Sequence, residues 1–146
     1  MTETVYQLRG MTKAYDGRQV LQIDRLDIYE GEILSIVGPS GSGKSTLLRL
    51  LNFLELPTTG TIRYGDYVTN GTGTVPLALR RQITTVFQKP VLLNCAVQDN
   101  VAFGLRVRGE KKHYQRIEQA LERVGLLEFA RKRARTLSGG EAQRVA

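Results

Sequence analysis

Cysteine is almost absent from this sequence, with Cys95 the single example among 146 residues. An intrachain disulfide is therefore excluded, and a lone thiol in a reducing cytosol is more often a packing residue than a reactive one. Long apolar runs are also absent, because the most leucine-rich stretch, Leu47–Leu56, is interrupted by Arg49, Asn52 and Glu55. A membrane-spanning helix needs roughly 18 apolar residues, so none is expected. The first residues also lack the basic and apolar segments of a secretory signal.

The charge is unevenly distributed. Hydrophobic residues make up 41% and charged residues 24% of the chain, as in globular proteins, and the formal net charge is +7. Between positions 106 and 135, ten Lys/Arg and four Asp/Glu give +6, whereas the remaining eleven and ten give +1. The excess peaks at Arg131, Lys132, Arg133 and Arg135. A solvated helical face is the favoured interpretation, a docking surface is second, and nucleic acid is third because no aromatic residues are interleaved.

Two segments near the N-terminus, 4–9 and 20–28, alternate loosely between apolar and polar residues. This period of two predicts half-buried antiparallel strands, and the Asp16-Gly17 pair between them is a turn signal. A further short strand is predicted over Thr61–Tyr64.

Ile33–Val37 and Ile83–Phe87 are short and almost continuously apolar. This pattern is typical of parallel strands covered on both faces. A helix is expected from about 44 to 55, ended by Pro57 and Gly60. The N-terminal part therefore reads as mixed α/β.

From about Val91 the sequence becomes helical, with a short helix already expected over 77–82. Gly125 is a plausible C-terminal cap for a helix whose face is formed by Ile117, Ala120, Leu121 and Val124. A composition change near Pro90 predicts an α/β core over 1–90, a helical subdomain over 91–136, and a last segment over 137–146.

Residues 38–45 match the pattern G-x-x-x-x-G-K-[ST] of a phosphate-binding loop. Glycines let backbone N–H groups approach a triphosphate, and the N-terminus of the following helix favours anions. Lys44 is expected to reach the β- and γ-phosphates, Ser45 to ligate Mg²⁺, and Thr46 to lie near the α-phosphate. The alternative is a Gly/Ser turn with an accidental lysine. The candidate nucleotide-binding residues are Gly38, Pro39, Ser40, Gly41, Ser42, Gly43, Lys44, Ser45 and Thr46.

A second glycine-containing motif, Leu137-Ser138-Gly139-Gly140-Glu141, precedes Gln143 and Arg144. Its N–H groups at the start of a helix would suit another phosphate. Because Ser138 lies three residues before Glu141, the same residues fit a capping box. From the residues alone the two interpretations are equally good, and both can hold.

Leu-Ser-Gly-Gly-Glu roughly a hundred residues after such a loop resembles the signature of ATP-binding cassette proteins. Gln88, after an apolar segment, resembles the family's Q-loop glutamine, which contacts Mg²⁺ and the attacking water. Tyr15, with Val20 following, resembles the aromatic residue that stacks on adenine, although a lone tyrosine is more often ordinary packing. The resemblance extends over all 146 residues, in the family's order.

The resemblance implies an α/β P-loop NTPase (RecA-like) core with an N-terminal antiparallel β-subdomain and an inserted helical subdomain. It implies that Lys44 and Gln88 act in catalysis, with Ser45 and Gln88 on Mg²⁺. It also implies that two cassettes close head to tail, so that ATP on one loop is capped by Ser138, Gly139, Gly140 and Glu141 of a second copy. The implied partners are transmembrane permease subunits, which the helical subdomain would contact, and indirectly a solute-binding protein. The location would be the cytoplasmic face of the membrane, and no nucleic acid is expected.

Three stretches further resemble bacterial oxyanion importers, of the tungstate type and then the phosphate and molybdate types. They are residues 50–55, 76–81 and 90–94. The solute is chosen by the permease and binding protein, and no residue of this chain would touch it.

The sequence departs from the family pattern by ending soon after the signature. Neither Asp66 nor Asp99 follows an apolar strand, as the Walker B aspartate does, Glu128 precedes the signature, and His113 reads as exposed surface. We expect a fragment that binds ATP better than it hydrolyses it, because no base is positioned to activate water. We also expect exposed strand edges and marginal folding.

Two other functional classes remain. A soluble cassette acting on ribosomes or DNA would usually carry a second cassette or a large insertion, and the compact spacing from Gln88 to Leu137 shows neither. A P-loop kinase would use Ser138–Glu141 merely as a helix cap.

Overall fold

The computed structural model describes residues 3–110 and 114–146, so His113 lies outside the described residues. The chain forms two compact units, Met1–Thr84 and Thr85–Ala146, which are described separately. The first unit contains β1 (Thr4–Tyr15), β2 (Arg18–Tyr29), α1 (Lys44–Leu51), β3 (Thr59–Tyr64), β4 (Tyr67–Thr69) and α2 (Leu77–Arg80). The second contains α3 (Val97–Val107), α4 (Tyr114–Arg123), 3-10 turns at Leu127–Phe129 and Ala134–Thr136, and α5 (Gly139–Val145).

The first unit is built on an antiparallel sheet of order β2-β1-β3-β4. The long hairpin of β1 and β2 closes at Asp16 and Gly17, whose φ angles of 49° and 78° are those of a tight hairpin turn. Both predicted strands, their turn and the short strand ending at Tyr64 are confirmed. The hairpin is longer than predicted and brings Tyr15 opposite Arg18 at its tip.

The core of this unit lies between the sheet and α1. Leu50 of the helix and Leu8 and Ile62 of the paired strands are fully buried, which fixes α1 against the sheet by apolar contact. The Tyr6 hydroxyl donates to the Leu51 carbonyl at 2.9 Å, and burial raises the pKa of Tyr6. The C-terminal end of α1 is therefore attached to β1, and this attachment helps to fix the position of the whole helix, including its first turn.

The prediction of strands over Ile33–Val37 and Ile83–Phe87 is wrong for this structure. Neither segment is a strand, and Ile33 and Val37 are 93% and 89% exposed. A strand exists only through hydrogen bonds to a neighbour, and within the described residues neither segment pairs with another strand. The apolar composition of these two segments was therefore not sufficient to form a strand.

The helix expected over 44–55 ends earlier, at Leu51. Phe53 adopts a left-handed φ of 51° and is only 3% exposed, so the helical conformation is interrupted there and not at Pro57. Gly60 lies within β3 and does not end the helix. The short helix expected over 77–82 is confirmed as α2.

The second unit packs around fully buried Val97, Leu121 and Leu126. Ile117 and Leu121 face this cluster as predicted, but Ala120 is exposed, so the buried face of α4 is narrower than the sequence indicated. Gly125 has a φ of +66°, as expected for a C-terminal cap.

The segment before α3 is fixed by one side chain. The Asn100 amide accepts from the Leu93 N–H at 2.7 Å and donates to the Leu93 and Ala96 carbonyls at 3.2 and 3.0 Å. The chain therefore becomes regular helix only at Val97, later than the expected start near Val91.

The basic peak at 131–135 is exposed, but it lies on turns and a 3-10 segment and not on a helical face. The prediction that these residues form a helical face is therefore wrong, whereas their predicted exposure to solvent is confirmed. Among residues 3–110 and 114–146, no helix is long and apolar enough to cross a membrane.

Candidate functional site

The loop before α1 has the backbone that its glycines predict. Gly41 and Gly43 have φ angles of +82° and +88°, which side-chain-bearing residues rarely adopt. The Ser42 N–H donates to the Pro39 carbonyl at 3.3 Å, and the Leu47 N–H donates to the Gly43 carbonyl at 2.8 Å. The loop is a turn that passes directly into the helix, with Ser45 and Thr46 in its first turn.

The Lys44 side chain folds back over this loop. Its ammonium donates to the Gly38 and Pro39 carbonyls at 2.8 and 2.6 Å and to the Ser42 hydroxyl at 3.3 Å. A full positive charge therefore lies against the loop, at the N-terminus of a helix that itself favours anions. This arrangement suits a polyphosphate.

The tip of the β1–β2 hairpin lies beside the loop. A Cβ built on Gly43 would come within 3.0 Å of the Val20 carbonyl and 3.1 Å of Leu21 Cδ1. These contacts are tight and the φ angle of Gly43 is +88°, so the third glycine of the motif serves close packing as well as dihedral freedom. Val20 and the loop are thus brought together, as their common assignment to one site requires.

Tyr15, at the end of β1, is 38% exposed. Its hydroxyl donates to a Glu55 carboxylate oxygen, and the Lys13 ammonium lies 5.1 Å from its ring centroid. Sequence reasoning missed both neighbours. The two-residue spacing of Lys13 and Tyr15 could have placed them on one strand face, whereas nothing local indicates Glu55, forty residues away.

Gln88 and the second motif lie in the second unit. Gln88 is exposed in an open groove lined by Phe87, Pro90, Leu93 and Phe103. The Gln143 side chain of α5 donates to the Phe87 carbonyl at 3.0 Å. The α5 helix is thereby attached to the backbone next to Gln88.

Ser138 and Glu141 form the capping box that their spacing predicts. The Ser138 N–H and hydroxyl donate to a Glu141 carboxylate oxygen at 2.7 and 2.8 Å, and the Glu141 N–H donates to the Ser138 hydroxyl at 3.4 Å. These bonds, led by the one from the Ser138 backbone, lower the pKa of Glu141, with smaller contributions from Arg144 and Lys132. Gly139 and Gly140 are exposed in the first turn.

This cap predicts an acid-dependent helix end. Because the folded pKa of Glu141 is below its unfolded value, its stabilisation is complete above the ordinary pKa of a glutamate and is lost as the pH falls through the lowered folded value. We expect the α5 amide NMR shifts to follow that transition, and Glu141→Gln to abolish it. Glu122→Gln, an exposed change on α4, is the matched control. A transition that persists in Glu141→Gln would contradict the assignment.

The candidates thus fall into two groups, one in each unit. The loop 38–46, Val20 and Tyr15 are in the first unit, and Gln88 with 138–141 in the second. Among the described residues, no cluster of three or more His, Cys, Asp or Glu side chains could hold a metal ion alone.

Both the sequence and the fold of this chain are similar to those of proteins from ABC transporters. A family model described as ABC transporter matches residues 21–146. The spermidine/putrescine import ATP-binding protein PotA of Marinobacter nauticus is 44% identical over 149 residues, which cover 100% of this chain and 39% of that protein. The phosphate import ATP-binding protein PstB 2 of Natronomonas pharaonis is 40% identical, with coverages of 100% and 56%. The tungstate uptake system ATP-binding protein TupC of Peptoclostridium acidaminophilum is 36% identical, with coverages of 94% and 62%.

The solved structure of CbiO1 from Clostridium perfringens, described as part of the ABC transporter complex CbiONQ, superposes with a TM-score of 0.82. It is 29% identical, over 98% of this chain and 59% of that one. The chain therefore spans about two fifths to three fifths of the length of these relatives. The predicted α/β class with an N-terminal antiparallel region is confirmed. The match over residues 21–146 means that this chain belongs to the ABC transporter family.

Proposed function

We propose that this chain is the ATP-binding part of an ABC importer's ATPase subunit and that it holds MgATP on residues 38–46. The observation that carries this proposal is the Lys44 ammonium folded over the glycine-containing loop at the start of α1. On binding, the ammonium would exchange carbonyl partners for phosphate oxygens, which are stronger acceptors because they are charged. The named import ATP-binding relatives support the same assignment.

The loop residues fit a nucleotide with Mg²⁺. A Cβ on Gly38 would meet the Ser42 hydroxyl at 2.9 Å, so a larger residue here would displace that side chain from the loop. The Ser45 hydroxyl, in the first turn of α1, would hold the ion, and Gln88 would approach it in the closed state. Mg²⁺ would supply positive charge that neutralises the phosphates. Tyr15 and Val20 would contact the adenine.

The second copy would complete the site. Residues 138–141 of one chain would cap ATP on the loop of the other, and α5 would present the Ser138 hydroxyl after exchange of its Glu141 partner. We further propose that the helical subdomain, 91–136, contacts transmembrane permease subunits, with a solute-binding protein acting indirectly. The chain would then be peripheral on the cytoplasmic face of the membrane.

We propose an oxyanion such as tungstate, phosphate or molybdate as the solute of the complete system. The phosphate and tungstate relatives support this choice, whereas the polyamine relative supports a cationic solute. Uptake by cells with and without the gene, measured with radiolabelled phosphate, tungstate and spermidine, separates these solutes.

Turnover by these 146 residues should be slow. Asp66 lies in the turn after β3 and Asp99 is paired with Arg106 on α3. Glu128 lies on a 3-10 turn. Asp66 is exposed in its turn, and neither Asp99 nor Glu128 follows a strand, so none of the three is placed as the base that activates water.

Calorimetry with MgATP tests the binding proposal directly. We expect saturable binding of MgATP and weaker binding of Mg-tripolyphosphate, which lacks the base. Retention of a permease, but not of duplex DNA or ribosomes, by immobilised protein would support the importer assignment over a soluble cassette. Absence of MgATP binding by folded protein would refute the proposal.

A further inference from the structure

Glu55 lies beyond the end of α1, yet its side chain is directed to the tip of β1. It accepts a hydrogen bond from the Tyr15 hydroxyl and is itself only 23% exposed. We propose that Glu55 is a positioning residue for nucleotide binding, which orders the Tyr15 ring before the base arrives. The inference rests on the proposed role of Tyr15 as the residue that contacts adenine.

Lys13 completes the arrangement. It lies two residues before Tyr15, on the same face of β1, with its side chain only 15% exposed. Its ammonium is 3.4 Å from a Glu55 carboxylate oxygen, 2.9 Å from the Leu56 carbonyl and 5.1 Å from the Tyr15 ring centroid. The tyrosine is therefore restrained both at its hydroxyl and on its ring.

Glu55 is in turn attached to α1, the helix that begins with the phosphate loop. Arg49 on the helix lies 3.5 Å from the other Glu55 carboxylate oxygen, and the Glu55 N–H donates to the Arg49 carbonyl at 3.4 Å. The hydrogen bond from Tyr15 is the largest influence that lowers the pKa of Glu55, so the acceptor is charged at neutral pH. The carboxylate thus joins the base-contacting residue to the phosphate-binding helix.

Ordering has a measurable effect on affinity. Tyr15 is 38% exposed at a strand end, so loss of the hydroxyl bond would leave its ring restrained only by Lys13 and would increase the number of rotamers it can adopt. The conformational entropy lost when the ring is immobilised would then reduce the free energy of nucleotide binding. Such a cost for one side chain corresponds to about a 3- to 10-fold change in dissociation constant.

The test compares ATP with tripolyphosphate in a double-mutant cycle. We expect Glu55→Ala and Tyr15→Phe each to raise the ATP dissociation constant about 3- to 10-fold and to leave that of tripolyphosphate unchanged. The double variant should bind ATP no more weakly than Glu55→Ala, because that change already removes the bond that is lost in Tyr15→Phe. Glu55→Gln should restore nearly full affinity, since its amide oxygen still accepts from the hydroxyl. Glu30→Ala, an exposed change at the end of β2, is the matched control.

A purely structural role for Glu55 predicts different results. Equal loss of ATP and tripolyphosphate affinity in Glu55→Ala, or additive losses in the double variant, would overturn the inference. If Glu55→Ala fails to fold, Tyr15→Phe decides alone, since an unchanged ATP affinity there contradicts the proposal. If the unaltered protein binds ATP and both variants bind it equally well, only this inference is refuted. If the unaltered protein does not bind ATP, the proposed function is refuted as well.

Discussion

Replacing Lys44 by alanine is expected to weaken MgATP binding by about 100-fold, because a charge-assisted contact to phosphate is removed while the phosphate remains desolvated. The ammonium is the only cation that the structure places on the carbonyls of the loop among its described residues. Titration calorimetry measures the effect. A dissociation constant that changes less than threefold would contradict the assignment of the loop.

Arg80→Ala is the charge-matched control for this experiment. Arg80 is exposed in the last turn of α2, so its loss changes the net charge equally without altering the loop. Unfolding curves of both variants should stay close to that of the unaltered protein, because the Lys44 bonds to the loop are replaced by water. A large loss of stability in Lys44→Ala alone would mean that the lysine stabilises the loop itself. The weaker MgATP binding could then result from partial unfolding and not from the lost phosphate contact.

The largest effect on stability is expected for Gly60→Ala in β3. A Cβ at this position would lie 2.3 Å from the Gly10 carbonyl oxygen and 2.6 Å from that of Arg9, and the φ angle is +77°. Both obstacles are backbone of the neighbouring β1, which cannot rotate away, so the two strands must separate locally. We expect a loss of about 3 kcal/mol or more in the free energy of unfolding.

Gly65→Ala is the matched control, since Gly65 also has a positive φ, of +54°, but nothing within 4 Å of its Cβ position. It should lose only about 1 kcal/mol, the cost of a left-handed conformation. Urea unfolding of both variants, with equal denaturant dependence, gives the difference. Similar losses in the two would show that the close approach to β1 is relaxed without cost.

Local signals predicted the parts of this fold that local chemistry determines. The β1–β2 hairpin follows from a period of two and the Asp16-Gly17 turn, and the capping box follows from the spacing of Ser138 and Glu141. The loop before α1 could be identified because its glycines have no substitute at their φ angles. In each case the residues that determine the structure, namely the turn, the cap or the loop glycines, lie within a few positions of one another.

Features that depend on distant partners could not be predicted. Ile33–Val37 has the composition of a buried strand, but pairing is a property of two segments and not of one. Gly60 looked like a helix stop and proved to be the place where β3 passes close to β1. The contact between Tyr15 and Glu55 depends on how far α1 extends, and that length was overestimated.

The hydrogen bond from Gln143 to the Phe87 carbonyl sets how firmly α5 is held to the segment that carries Gln88. It is a single bond from an exposed side chain, and such a bond contributes about 1 kcal/mol. That energy favours the attached arrangement over the detached one only about fivefold. This modest preference adds to the apolar packing of Val145 of α5 against the core of the second unit, so loss of the bond alone would loosen the contact with the Gln88 segment without releasing α5.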